Sequence, residues 1–381
     1  MTRLNGLELT PSDKIIFQSR AYQVLAKSFK NDHVAGAYLF YGPEGVGRWP
    51  TAITFAALLN CENVQNIDDI PTPCGECRNC RNIYNLSYES LKIALPIPPH
   101  ENKEDKAMEL TGEIIAEKKA EPFSLLSSAG STNIPISIAR EIKKNLAMRA
   151  PKDQKRVVIF YQMEKMKTAS ADALLKMIEE PPPDTVIILI SVKPESLLPT
   201  IQSRSQKIKI DRIPTGLIED YLRTNYEVSE KRLQLAARIS SGSLGAALAM
   251  IGDDDDSSSG RSVHFLIFKS LFNESNPDTI EVMNEMINWR DKGEVEAMLK
   301  LWQSLLRDCN AFAFKNDEED IVNVDFKAEI IKLAPRFTSA ELGLAMIAEI
   351  KNSLADFRRN VHIQGAMTAL VLKLKRFSNR S

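Results

Sequence analysis

The spacing of hydrophobic positions changes about halfway along the chain. In the first half they come as short runs: apolar at 37–41 and β-branched at 157–161 and 186–190, with 207–210 a fourth short strand candidate. Runs of that length, apolar at consecutive positions, suit strands covered on both faces. Residues 169–180 carry apolar positions at helical spacing and stop at the three prolines 181–183, which supply no backbone donor to a continuing helix. Strands separated by helices predict an α/β fold with a mostly parallel sheet. Past 210 the strand pattern ends. Residues 215–251 read as three short helices broken at 225–229 and 240–243, and 262–377 is helical almost throughout, most clearly at 295–312, 339–357 and 361–377.

This pattern divides the chain into an α/β domain at 1–212, a small helical domain at 213–252 and a helical domain at 261–381. The acidic, serine-rich stretch 252–260 reads as a linker. Two segments interrupt the α/β pattern. Residues 61–86 hold clustered cysteines, and 98–132 is polar, predicting a surface insertion with a short helix at 107–118. No apolar run approaches the ~20 residues of a membrane span, and the first ten residues lack an apolar signal core, so the expected compartment is the cytoplasm. A net charge of −1 argues against a chain that grips nucleic acid over its whole surface, while leaving room for a local basic patch.

Cys61, Cys74, Cys77 and Cys80 are separated by twelve, two and two residues. In a reducing compartment such spacing points to metal before disulfide, and four thiolates suit a closed, tetrahedral structural zinc site. Free thiols or a redox pair are the plainer alternatives. The absence of a nearby histidine argues against catalytic zinc.

The run at 37–41 leads into Gly42-Pro43-Glu44-Gly45-Val46-Gly47-Arg48-Trp49. Gly42 and Gly47 have the spacing of a phosphate-binding P-loop, and Gly45 lies between them, but Arg48 stands where lysine reaches the phosphates and Trp49 where a hydroxyl holds magnesium. Tyr161 and Gln162 follow the strand at 157–160, where an aspartate and a glutamate would prepare water; Glu164 is expected to point away. Either this is a P-loop unfit for hydrolysis, with Gly42, Gly45, Gly47 and Arg48 a vestigial nucleotide site, or it is a plain glycine turn.

The segments AYLFYGPEGVGR at 37–48, ADALLKMIEEPPPDTVIILIS at 171–191, LLPTIQSRSQ at 197–206, GSLGAAL at 242–248 and RNVHIQGAMTALVLKL at 359–374, with the four cysteines, resemble the AAA+ clamp-loader family of bacterial DNA polymerase III. Within it, the altered P-loop is most similar to the delta-prime group. The resemblance implies a P-loop-type sheet domain with an inserted zinc module at 61–86, a helical lid and a C-terminal all-α collar. It implies a ring with gamma/tau and delta subunits, weak or indirect contact with the sliding clamp, and primer–template DNA inside the assembly. A sensor arginine of the family is replaced by Ala246. In the Ser203-Arg204-Ser205 motif, the resemblance makes Arg204 an arginine finger for a neighbour's ATP; the plainer reading is a solvated arginine, or one paired with Glu180 or Glu195. Such a cation neutralises charge developing on a transferring phosphoryl group. Arg140, Lys143 and Lys144 share one side of a helix expected at 136–148, which either contacts DNA phosphates or is only a solvated face. The expected function is a clamp-loader subunit that does not hydrolyse ATP itself within a DNA-directed DNA polymerase holoenzyme. The alternatives are a gamma/tau-like ATPase subunit with DNA-dependent hydrolysis, and a stand-alone zinc protein that binds nucleic acid.

Overall fold

The computed structural model describes residues 18–98, 104–126, 132–146, 151, 154–166, 168–252, 256–272, 279–289, 291–337, 339–357 and 362–378. The chain opens with α1 (Ser19–Lys30), β1 (Ala37–Tyr41) and α2 (Arg48–Asn60), followed by a small hairpin, β2 (Gln65–Ile67) and β3 (Ile70–Thr72). Then come α3 (Arg78–Tyr84), β4 (Leu91–Ala94), α4 (Glu104–Ala120), α5 (Ile136–Leu146), β5 (Arg156–Tyr161), α6 (Thr168–Glu179), β6 (Thr185–Ser191), α7 (Pro199–Arg204) and β7 (Gln206–Lys209). The remainder is helical: α8 (Thr215–Asn225), α9 (Glu230–Ile239), α10 (Leu244–Gly252), α11 (Asp256–Ser270), α12 (Thr279–Met286), α13 (Lys292–Lys315), α14 (Lys327–Leu333), α15 (Ala340–Phe357) and α16 (Ile363–Ser378).

The described residues form two compact units. One runs to Val228 and takes in Ser240–Ala249; the other comprises Ser229–Ile239 and the chain from Met250 onward. The first is built on a five-stranded sheet of order β4-β5-β6-β1-β7, parallel throughout. Strand alternation sorts its side chains between two cores. Tyr38, Phe40, Val157, Ile159, Ile188 and Ile190 face the side packed by α1 and α2. Leu39, Val158, Phe160, Ile187 and Leu189 face the side packed by α5 and α6. Both faces of β1, β5 and β6 are covered, which is why these three strands read as continuous apolar runs.

In the second unit, Val295, Met298, Leu299, Trp302, Leu305, Leu306 and Cys309 of α13 are buried on one helical stripe. The Asp291 side chain caps α13 by accepting from the N–H groups of Gly293 at 2.8 Å and Glu294 at 3.2 Å. α15 passes close to α13 at Gly343, where a Cβ would meet Asn310 at 2.6 Å.

Three expectations change. The stretch 252–260 is not simply a linker: α11 begins at Asp256, and acidic and hydroxyl residues are well tolerated at a helix start. The segment 98–132 is not merely a surface insertion, since α4 spans seventeen residues and Lys118 and Phe123 are buried. The helix expected at 136–148 is seen to Leu146; 147–148 and the first ten residues lie outside the described set. β4 and the β2–β3 hairpin went unanticipated, each being too short to show a pattern.

Candidate functional site

β1 delivers the chain into the glycine turn, and α2 leaves it. Gly42, Gly45 and Gly47 all have positive φ, and a Cβ at Gly42 would sit 2.1 Å from the Ile210 carbonyl oxygen, so the turn needs glycine there. The turn's carbonyls are in use: Ser243 Oγ donates to Glu44 at 2.8 Å, Gly245 N to Gly45 at 3.0 Å, Gln18 Nε2 to Val46 at 2.7 Å and Thr51 Oγ1 to Gly47 at 2.7 Å. Ala246, at the expected sensor position, donates its N–H to Ser243 Oγ at 3.2 Å.

Arg48 and Trp49 are both buried. Trp49 packs edge-on against Tyr161, with centroids 5.5 Å apart and rings at 90°. The residue in the hydroxyl position thus meets the residue in the acid position as an aromatic pair. The Arg48 guanidinium has one buried nitrogen without a hydrogen-bond partner, and burial lowers its pKa against the pull of Tyr161, Glu164 and Glu44. Gln162 sits in the left-handed region at φ 55° and donates to Glu44 Oε1 at 3.0 Å. Glu164 does not simply turn away: it accepts from Val192 N at 3.3 Å at the end of β6, and Arg48 feels its charge.

The sequence reading missed residues from the last turn of α4 and the segment after it. Lys118 is buried with its ammonium 5.0 Å from the Tyr161 ring centre, and it donates to the Ser124 carbonyl. Burial brings its pKa down to about 8. The signal was present as an apolar island, Phe123-Ser124-Leu125-Leu126, directly after a charged helix.

The far end of α2 leads to the cysteines. Cys61 follows its last residue, Cys74 and Cys77 flank a turn with Gly75 at φ 79°, and Cys80 lies in the first turn of α3. The four sulfurs lie within 4.8 Å of one another, with Cys61–Cys74 at 3.6 Å and Cys74–Cys80 at 4.0 Å. Tetrahedral zinc–thiolate geometry sets sulfurs ~3.8 Å apart, so the cluster fits such an ion. Three backbone amides reinforce it: Cys74 N donates to Cys61 Sγ at 3.3 Å, Cys77 N to Cys74 Sγ at 3.3 Å and Cys80 N to Cys77 Sγ at 3.4 Å. Burial raises the Cys61 and Cys80 thiols. At Cys74, burial is outweighed by hydrogen bonds led by the N–H groups of Cys77 and Glu76, which bring it to about 7.

Asn60, also missed, ties the cluster to the sheet. Its Oδ1 accepts from Tyr88 Oη at 3.2 Å and Lys155 N at 2.9 Å, and its carbonyl accepts from Asn79 Nδ2 at 3.0 Å.

Arg204 and Ser203 sit at the end of α7, both exposed. Arg204 Nε lies 3.2 Å from Glu179 Oε1, so its partner is neither Glu180 nor Glu195, and Ser203 Oγ donates to Thr200 O at 3.2 Å. Arg140, Lys143 and Lys144 are exposed on α5, opposite buried Ile142 and Leu146. Lys143 also edges an open groove of about 410 Å³ shared with Lys176, Met177 and Glu179 of α6. No described helix is long and apolar enough to cross a membrane.

A family model described as "DNA polymerase III, delta subunit" matches residues 17–214. The chain is 24% identical over 359 residues to the DNA polymerase III subunit delta' of Bacillus subtilis, covering 94% of this chain and 96% of that protein. It is 32% identical over 133 residues to the Escherichia coli subunit delta', covering 35% of this chain and 40% of that protein. It is 22% identical over 296 residues to the Bacillus subtilis subunit tau, covering 72% of this chain and 46% of that protein.

Proposed function

The chain belongs to the delta-prime-like family of DNA polymerase III clamp-loader subunits, and on that premise we propose that it is the ring member that does not hydrolyse ATP. The observation that carries this reading is the Trp49–Tyr161 pair. A working site needs a hydroxyl to seat magnesium and an acid to orient water; Trp49 carries no hydroxyl at the first position and Tyr161 no carboxylate at the second. Arg48, buried in place of the phosphate-reaching lysine, agrees with it. The test is nucleotide titration and phosphate release with the pure chain. The expected result is no turnover; steady release would move the chain to the gamma/tau-like reading, which its likeness to the tau subunit favours.

The positive contribution is then a cation lent to a neighbour. Arg204 is exposed at a helix end and held by a surface ion pair to Glu179, a contact worth ~0–1 kcal/mol, and by a long 3.4 Å bond to the Thr200 carbonyl, so its guanidinium can exchange Glu179 for a phosphate at little cost. In a ring assembled with gamma/tau and delta subunits, Arg204→Ala is expected to slow the neighbour's hydrolysis by at least ~10-fold. Unaltered ATPase and clamp-loading rates would remove the finger from the proposal. The lid and collar assignments, 213–252 and 261–381, belong to the same reading.

The ion for Cys61, Cys74, Cys77 and Cys80 is zinc. Bound there, it closes the loops of 61–86 on one another and leaves no open position for chemistry.

A further inference from the structure

Residues 121–126 leave the end of α4 and run across the glycine turn. A Cβ on Gly47 would lie 3.0 Å from the Phe123 ring, and one on Gly45 would lie 2.9 Å from a Leu125 methyl. On the other side of the same strap, a Cβ on Gly245 would lie 2.2 Å from the Phe123 carbonyl oxygen and 3.0 Å from that methyl. Phe123 is buried, and the strap is fastened at its start and near its middle: Tyr226 Oη donates to Glu121 Oε2 at 2.8 Å, and Lys118 donates to the Ser124 carbonyl. Lys118 in turn lies over Tyr161, the ring that meets Trp49.

We infer that residues 118–126 are a built-in plug: the strap fills the space above the glycine turn and pins that turn to the start of α10, so the loop is closed by the chain itself. The contact with Gly245 is what makes this a clamp and not a mere cover. The Gly45 and Gly245 backbones touch through a 3.0 Å hydrogen bond, and Leu125 and Phe123 sit in the notch that their missing side chains leave. A bound anion holds a P-loop in place through backbone N–H groups; here apolar packing and a buried ammonium do the holding. The inference uses the reading of the turn as a P-loop by descent and does not depend on membership in a ring.

Hydrogen exchange on the whole chain tests it, with Gly245→Ala adding a methyl into the Phe123 carbonyl and Leu125→Asp placing a charge in the notch. Exchange at 42–48 and at 121–126 should speed up together, about tenfold, while β5 and β6 keep their protection. Faster exchange at 121–126 with 42–48 unmoved would show the loop held without the strap and overturn the inference. So would no change at either segment in both variants. If both variants also loosen β5 and β6, the strap belongs to the core and is no plug. In the unaltered chain, millimolar Mg-ADP should leave 42–48 as it is. Slowing there without faster exchange at 121–126 would mean that nucleotide and strap coexist, which sinks the plug. ATP turnover bears on the proposed function alone, so the two failures are distinguishable.

Discussion

Lys118 pairs full burial with a charge, and the cost appears in how its proton is held. Burial lowers its pKa from 10.5 to about 8. Between those values the unfolded chain keeps a proton that the folded chain has released, so stability rises with pH across that window. The gain is about 3 kcal/mol at most. Urea unfolding from about pH 8 to 10 should show this rise in the natural chain and lose it in Lys118→Met; parallel slopes would mean that the ammonium is better solvated than its position indicates. Nothing in the sequence singled Lys118 out. Gly42, Gly47 and the cysteines were legible because their meaning lies in fixed local spacing. Lys118 takes its meaning from a charged helix that looks solvated by composition and is buried there by its tertiary neighbours; only the apolar island at 123–126 marked the segment beside it. Glu179 illustrates the same limit: a partner for Arg204 was expected among nearby acids, and which one it is depends on how α6 ends relative to α7.

α2 is the element that connects the two candidate sites, starting at the glycine turn and finishing one residue before Cys61. Asn60→Ala should destabilise the chain by roughly 1–3 kcal/mol, because it strands the Tyr88 hydroxyl and the Lys155 N–H. Denaturant unfolding measures that, and metal content should stay at one ion per chain, since Asn60 supplies no ligand. Cys77→Ser should do the reverse: metal is lost, and exchange rises through 61–86 while β1, β5 and β6 remain protected. The strands were readable where both faces are covered, as in β5 and β6. β4, only four residues long and with Lys92 in its middle, offered no such run. The three helices at 215–251 were foreseen with their breaks because Asn225 and the serine- and glycine-rich 240–243 are poor helix formers at the positions where the chain turns.

At the scale of the molecule, the change from strands to helices near 210 was legible in the periodicity, while the division into units was not: the helical residues to Val228 and Ser240–Ala249 go with the sheet and 229–239 with the later unit, an outcome that depends on contacts distant in sequence. On the proposed reading, mixing the chain with gamma/tau and delta subunits should yield one complex of defined mass. Failure to associate at micromolar concentration would count against it. Reversing Lys143 and Lys144 to glutamate should weaken binding of that complex to primed DNA and flatten its salt dependence by about one to two counterions; unchanged affinity would leave α5 a solvated face.

The aromatic pair formed by Trp49 and Tyr161 has a last consequence. On the proposed reading, a site occupied by the protein's own rings has no fuel to spend and no product to release. Its conformation is therefore indifferent to the adenylate balance of the cell, the same in starvation as in growth.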